Sequence, residues 1–107
     1  MSVKPGPALD RLFDEYSRRA KAIRHDLGLL HHADFAEQAQ ERQNDEVLRM
    51  LLVEAEAGLR LVELARQRLA EGTYGLCLRC GEPVEAARLQ ALPAAECCMA
   101  CVEHSDR

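Results

Sequence analysis

Five cysteines lie near the carboxyl end of the sequence, and four of them have the spacing of a metal site. Cys77 and Cys80 form one Cys-x-x-Cys pair, and Cys98 and Cys101 form a second pair, with 17 residues between the pairs. Each pair can direct two thiolates toward one ion while the loop returns the chain, which is the ligand arrangement of a tetrahedral Zn²⁺ site. Because four protein ligands leave no position for water or substrate, the spacing predicts one structural zinc ion rather than a catalytic metal.

The fifth cysteine, Cys97, is left over by this assignment. If it replaced Cys98 as a ligand, the second pair would lose its Cys-x-x-Cys spacing, so we assign Cys98 to the metal. Cys97 is then either a small half-buried side chain without a role or a redox thiol whose oxidation releases the zinc. Both interpretations stay open at this point, and His104 is a further residue that could substitute as a ligand.

The composition limits both the fold and the partners. The chain has 107 residues, 4% of them aromatic and none Trp, so a large core is not available and a structural metal is a common substitute. The formal charge of -4 argues against direct, sequence-specific binding of nucleic acid, which needs clustered Lys and Arg. No stretch approaches the roughly 18 apolar residues of a membrane span, and residues 1–7 lack the apolar core of a signal peptide. We therefore expect a cytoplasmic protein without membrane contact, whose cysteines bind metal rather than form disulfides.

The sequence before Gly72 has the pattern of two long amphipathic helices. Apolar side chains recur at three- and four-residue intervals in residues 8–30, and they form a heptad-like seam in residues 35–71. The first seam comprises Leu9, Leu12, Phe13, Tyr16, Ala20, Ile23, Leu27 and Leu30, and the second comprises Leu48, Leu51, Leu52, Ala55, Leu59, Val62, Ala65 and Leu69. Residues 5–7, which are Pro-Gly-Pro, are expected to form a loose leader, and Gly72 is expected to end the second helix.

Two such helices joined by a short turn bury their seams against each other as an antiparallel hairpin. We therefore predict a mostly α fold, in which an antiparallel two-helix coiled-coil hairpin leads into a small C-terminal zinc finger with four cysteine ligands and a short terminal helix. Its expected parts are a flexible leader at 1–7, the hairpin at 8–72 with its tip near 31–37, and the finger at 73–107. Short helices are expected at 84–91 and 98–104. The second long helix would extend roughly 50 Å, so we expect the hairpin to project from the finger as an arm.

The predicted tip carries two carboxylates, Asp34 and Glu37. An Asp followed three residues later by Glu at a helix start has the pattern of a capping box, in which both side chains accept from free N–H groups. By itself the spacing favours this local role. A capped tip still presents its carboxylates, so a binding role is compatible with the cap.

Three motifs of the finger can be compared with known families. They are Tyr74-Gly75-x-Cys77-x-x-Cys80-Gly81-Glu82-Pro83, Arg88-Leu89-x-Ala91-x-Pro93 and Cys98-x-x-Cys101. Together with the long second helix they resemble the DksA/TraR family of bacterial regulators of RNA polymerase, over residues 33–103.

The resemblance implies a zinc protein whose coiled coil enters the secondary channel of RNA polymerase and brings acidic tip residues close to the catalytic centre. Such a protein alters the lifetime of promoter complexes and catalyses no reaction. The family's tip pattern is Asp-x-x-Asp-x-Ala, and the matching residues here are Asp34, Glu37 and Ala39, with Glu in place of the second Asp. The resemblance therefore implies that Asp34 and Glu37 are the effector carboxylates.

Some members of the family act together with the nucleotide ppGpp. Those members use basic residues late in the second helix, whereas the equivalent stretch here contains Glu54, Gly58 and Leu61, with Arg60 as the nearby basic residue. We therefore expect an effect that does not depend on ppGpp. Gly58 costs about 1 kcal/mol in a helix relative to Ala, and it could serve to let two helices pack closely.

Two other classes of function stay open. A zinc-ribbon adaptor would recognise another protein through Leu76, Leu78 and Arg79 of the finger, and a thiol-based redox sensor would use Cys97. An enzyme is the least supported class, because the sequence has no open metal position, no phosphate-binding Gly loop and no nucleophile at a recognisable spacing from a base.

Overall fold

The structure is a computed structural model that describes residues 4–30 and 38–105. Within these ranges the chain forms four helices, which are α1 (Pro5–Leu30), α2 (Gln38–Glu71), α3 (Ala86–Ala91) and α4 (Met99–Ser105). The described residues contain no β-strand, only an isolated antiparallel bridge between Leu76 and Pro83. The predicted fold class, two long paired helices with a small four-cysteine finger, is confirmed. None of these four helices combines the length and the apolar character that spanning a lipid bilayer requires.

The first helix begins earlier than the sequence pattern predicts. Residues 5–7 lie in the first turn of α1, so the expected loose leader and the helix start at residue 8 were wrong. Pro is tolerated in a first turn because its missing N–H would have no partner within the helix, and its fixed φ is already helical. The two prolines therefore start the helix instead of delaying it.

The end of α2 is where the sequence predicts it. The N–H of Gly72 donates to the carbonyl of Leu69 at 3.3 Å, and the N–H of Thr73 donates to the carbonyl of Arg68 at 2.9 Å. Gly72 has a φ of 81°, a left-handed conformation that side chains disfavour. These two bonds form a Schellman motif, which satisfies the last carbonyls of α2 and turns the chain into the finger.

The chain divides into two compact units, which we name by their content. The finger unit comprises Met1–Phe13 and Arg60–Arg107, and the paired-helix unit is Asp14–Leu59. In the finger unit the α1 and α2 segments run antiparallel, because a Cβ on Gly6 would lie 3.8 Å from Leu69, whereas Asp10 reaches back to Arg66 at 3.3 Å. The buried apolar side chains of these two segments are Leu9, Val62 and Ala65.

The paired-helix unit is built around small residues. Ala20, Ile23 and Ala55 form its buried cluster, and the partly buried side chains packed against it are Leu27, Leu48 and Leu52. A Cβ placed on Gly58 would lie 2.5 Å from Cε1 of the Tyr16 ring, which is far below any real carbon contact. Gly58 therefore lets the Tyr16 ring lie against the backbone of α2, which confirms that this glycine permits close helix packing.

Candidate metal centre

Cys77 and Cys80 lie in a tight turn that glycine makes possible. The N–H of Cys77 donates to the carbonyl of Glu82 at 2.8 Å, and the N–H of Gly81 donates to the carbonyl of Cys77 at 2.9 Å. Gly75 and Gly81 have φ values of 88° and 77°. Because few side-chain-bearing residues adopt this conformation, a glycine directly after Cys80 keeps the turn closed and both sulfurs on one side of it.

Cys98 and Cys101 are positioned by the start of α4. Cys98 directly precedes this helix, and its carbonyl accepts from the N–H of Val102 at 3.0 Å. The N–H of Met99 points to the carboxylate of Glu85, whose two oxygens are each 3.3 Å away. A carboxylate at a helix start satisfies a free N–H and suits the positive end of the helix dipole. The sequence carries no signal for this role of Glu85, because no local pattern links it to a partner 14 residues away.

Two further bonds hold the second cysteine pair close to the first. The N–H of Leu78 donates to the carbonyl of Glu96 at 2.9 Å. Nε of Arg88 donates to the carbonyl of Cys97 at 2.9 Å, and its Nη1 lies 3.2 Å from the sulfur of Met99. Arg88 therefore orients the segment that carries the second ligand pair, a role that the motif match alone did not assign.

The base of the finger is tied to the end of α2. The hydroxyl of Tyr74 donates to the carbonyl of Pro93 at 2.8 Å, and burial raises the pKa of this phenol while Arg68 lowers it. Arg68 is itself buried, and its Nη1 lies 4.0 Å from a carboxylate oxygen of Glu96. The loop that leads to the second cysteine pair is therefore anchored on the last turn of α2.

The four sulfurs predicted from the spacing come together in one cluster. The Sγ atoms of Cys77, Cys80, Cys98 and Cys101 all lie within 4.8 Å of one another, and those of Cys80 and Cys98 are 3.8 Å apart. Four sulfurs at about 2.3 Å from a tetrahedral zinc ion would be about 3.8 Å apart. The cluster therefore has the size of a zinc site. Cys77 and Cys98 are buried, Cys101 is half-buried and Cys80 is exposed.

The electrostatics of the cluster also fit a divalent cation. The N–H groups of Cys80 and Cys98 donate to the sulfur of Cys77 and lower its pKa from 9.0 to about 5. The sulfur of Cys77, followed by those of Cys98 and Cys80, raises the pKa of Cys101 to about 12. Four thiolates at this distance repel one another, and a coordinated zinc ion supplies the charge that keeps all four deprotonated. The site fits one structural zinc ion with four sulfur ligands and no open position.

Cys97 lies beside the cluster without joining it. It is half-buried and packs against the buried Cys77 and Cys98. Burial, followed by the charge of Cys77, raises the pKa of the Cys97 thiol. A thiol with a raised pKa carries little of the reactive thiolate near neutral pH, so the geometry favours a packing role. Its role as a redox thiol remains a prediction.

The structure describes only some of the other predicted site residues. Asp34 and Glu37, the expected effector carboxylates, lie outside the described residues. Ala39 lies in the first turn of α2, and His104 lies in α4.

Two further groups of predicted residues lie on the surface. In the stretch compared with ppGpp-dependent members, Glu54, Arg60 and Leu61 are exposed. The finger residues that a zinc-ribbon adaptor would use to recognise another protein are also exposed. They are Leu76, Leu78 and Arg79. The guanidinium of Arg79 makes a long contact of 3.4 Å with the carbonyl of Cys101.

The finger and the fold of this chain are both similar to those of known proteins. The family model of the prokaryotic dksA/traR C4-type zinc finger matches residues 72–104. The solved structure of transcription factor DksA2 from Pseudomonas aeruginosa is similar to this chain, with a TM-score of 0.85 and 29% sequence identity. That similarity covers 94% of this chain and 78% of the DksA2 chain. Residues 72–104 are therefore a zinc finger of the dksA/traR type. The resemblance seen in the finger motifs is thereby confirmed.

A curated relative of this chain comes from Aquifex aeolicus (strain VF5) and is described as an uncharacterized protein. It is 41% identical over 51 residues, which is 48% of this chain and 35% of the relative. The match thus spans well under two thirds of that relative's own length.

Proposed function

We propose that this protein is a cytoplasmic, non-enzymatic transcription regulator that binds RNA polymerase directly. The observation that carries the proposal is the similarity to transcription factor DksA2, which extends over 94% of this chain. The finger match alone covers residues 72–104 and would be compatible with many zinc-ribbon roles. The similarity over the long helices favours a polymerase regulator, because an adaptor finger would not require them.

The structural parts have distinct roles in this proposal. Zinc, when bound, cross-links the two cysteine turns, and Glu85 and Arg88 orient the second turn. The α1–α2 hairpin enters the secondary channel of the polymerase, and Asp34 with Glu37 acts near the catalytic centre to change the stability of promoter complexes. Carboxylates suit this position, because polymerase catalysis uses Mg²⁺, a cation that prefers oxygen ligands.

Binding is tested by co-purification of the zinc-loaded protein with RNA polymerase, with zinc measured in the same fractions. We expect both to elute together. Regulation is tested by transcription in vitro from a promoter with short-lived complexes, comparing the wild type with Asp34→Asn. The matched control is Asp14→Asn, which removes an exposed carboxylate of α1. Equal output from the wild type and Asp34→Asn would refute the assignment of the tip.

Glu37 allows a finer test, because it differs from the family's usual Asp by one methylene. We expect Glu37→Asp to strengthen the effect on promoter-complex lifetime while leaving polymerase affinity unchanged. The same assay with and without ppGpp tests the second expectation, that the effect is independent of the nucleotide. A wild-type effect that appears only with ppGpp would contradict this expectation.

An adaptor is the second candidate, and the exposed apolar side chains of the finger favour it. Leu76 and Leu78 both present apolar surface to solvent, and Arg79 lies beside them. A pull-down with the wild type and with Leu78→Gln distinguishes the candidates. Recovery of polymerase subunits by both proteins supports the regulator. Recovery of another protein by the wild type alone, without polymerase, supports the adaptor.

A further inference from the structure

Arg68, in the last turn of α2, is a charged residue that the fold of the finger unit buries. It is 9% exposed, whereas Arg60 and Arg66 of the same helix segment are exposed. Its Nη2 atom is buried and has no hydrogen-bond partner among the described residues. Because a guanidinium keeps its proton in a protein, a buried Arg needs a counter-charge close by.

Glu96 supplies this counter-charge. One of its carboxylate oxygens lies 4.0 Å from Nη1 of Arg68, and its side chain is 34% exposed. The carboxylate therefore keeps contact with water, which the guanidinium largely lacks. The two partners of the ion pair are unequal for this reason. Removal of the carboxylate leaves a buried charge unpaired, whereas removal of the guanidinium leaves a carboxylate that water can solvate.

The backbone around Glu96 is tied to both cysteine pairs. The carbonyl of Glu96 accepts from the N–H of Leu78 at 2.9 Å, and Leu78 lies between Cys77 and Cys80. Two residues after Glu96 comes Cys98, the first ligand of the second pair. A displacement of Glu96 would therefore shift the two ligand pairs relative to each other.

The backbone of Arg68 is tied to the segment that leads to the first cysteine pair. Its carbonyl accepts from the N–H of Thr73 at 2.9 Å and lies 3.4 Å from the hydroxyl of the same residue. We propose that Arg68 is a positioning residue of the metal centre and that it acts through Glu96. The ion pair holds the segments on either side of the cluster at the separation at which four sulfurs can bind one zinc ion.

Two simpler roles predict a different result. A basic side chain in the last turn of α2 complements the helix dipole, and this contribution of Arg68 would not depend on Glu96. A carboxylate close to the metal site favours a cation by its charge alone, and this contribution of Glu96 would not depend on Arg68. A double-mutant cycle distinguishes the proposal from both, because only a coupled pair gives effects that do not add.

Competition with a chelator of known affinity measures zinc binding by the full chain in four forms, which are the wild type, Glu96→Gln, Arg68→Met and the double variant. We expect Glu96→Gln to lower the zinc affinity at least about tenfold when Arg68 is present, because a buried charge is left unpaired. In the Arg68→Met background the same substitution should leave the affinity nearly unchanged. An equal fall in both backgrounds, or no fall in either, would overturn the proposal.

Glu103→Gln is the matched control for charge. It removes an exposed carboxylate two residues after Cys101, and it should leave the zinc affinity nearly unchanged. Circular dichroism of each variant verifies its folding. Arg68→Gln provides a second uncharged background, in which we expect the same result as with Arg68→Met.

Amide exchange of the zinc-saturated proteins, followed by NMR, gives a second readout. We expect Glu96→Gln to speed the exchange of the Leu78 amide, which donates to the carbonyl of Glu96. The added Arg68→Met should slow this exchange again, because no buried charge then remains to be paired. Unchanged exchange at Leu78 in Glu96→Gln would overturn the route through Glu96. None of these measurements depends on polymerase binding.

Discussion

The finger unit and the paired-helix unit each have a small buried cluster, and the two clusters are stabilised in different ways. In the finger, the buried cluster consists of Cys77, Val84 and Cys98, so two of its three members belong to the metal site. The α3 helix has only six residues, and none of them is buried. In the paired-helix unit the buried cluster is Ala20, Ile23 and Ala55, where small side chains let two long helices approach. The cysteine-bearing part of the finger unit depends on a metal, and the paired-helix unit depends on close helix packing.

The largest expected effect is on the finger when zinc is removed. Metal affinity contributes directly to folding where the ligands form much of the core. We expect a strong chelator to abolish protection of the amides of α3 and α4, while the amides of residues 14–30 and 42–59 keep theirs. Hydrogen exchange followed by mass spectrometry measures both. Equal loss of protection in both sets of amides would contradict a metal dependence that is confined to the finger.

Acid should act on the same unit. The pKa of Cys77 is held at about 5, well below 9.0, so the folded finger favours the thiolate. The contribution of this thiolate to the stability of the folded state is therefore lost as the pH falls through about 5. We expect the zinc occupancy of the protein to fall as the pH is lowered from neutral toward that value, because protons compete with zinc for the thiolates. A chromogenic chelator reports the released metal, and the helicity of the paired-helix unit serves as the internal control. Retention of zinc well below pH 5 would refute this.

Gly58→Ala should have the next largest effect, on the paired-helix unit. The new methyl group would overlap the Tyr16 ring, and overpacking of this kind costs about 1–3 kcal/mol of unfolding free energy. Thermal or urea unfolding measures the loss. Gly28→Ala is the matched control, because no atom lies within 4 Å of its new Cβ, and it should instead stabilise by up to about 1 kcal/mol. If both substitutions stabilise the protein equally, the close approach of the Tyr16 ring to Gly58 does not contribute to stability.

Arg88→Gln should weaken zinc binding without preventing it. The substitution removes the bond from Nε to the carbonyl of Cys97, which orients the second ligand pair. Loss of a bond that orients a ligand typically lowers metal affinity about tenfold or more. Competition with a chelator of known affinity measures this. Arg79→Gln is the control, because its 3.4 Å contact with Cys101 is long and exposed, and an equal effect from both would count against a specific role for Arg88.

The smallest expected effect is that of Glu15→Gln on α1. Glu15 and Arg19 are 3.0 Å apart, one turn from each other, and both side chains are about half exposed. Exposed pairs of this kind contribute about 0.3–0.5 kcal/mol. We expect the unfolding free energy to change by no more than this, and less in high salt. A loss as large as that of Gly58→Ala would mean that surface charge, and not packing, holds the paired helices together.

Most local features of this protein were predictable from its sequence, although the start of α1 at Pro5 was not. The spacing of Cys77, Cys80, Cys98 and Cys101 is a local signal, because each pair needs only its own turn to direct two sulfurs. The seams of the long helices follow from helical periodicity, and Gly72 ends α2 because its left-handed conformation is a local preference. Each of these inferences depends on residues that are close together in the chain.

The long-range contacts were decided only by the tertiary structure. Which residue faces Gly58 depends on the register of two helices, and Tyr16 is 42 positions earlier in the sequence. The bond from Met99 to Glu85, and the opposite pKa shifts of Cys77 and Cys101, arise from groups that meet only after folding. The sequence by itself determined which elements form and which cysteines form the metal site. The packing determined how each thiol is stabilised and how closely the helices approach, because both depend on distances between residues far apart in the chain.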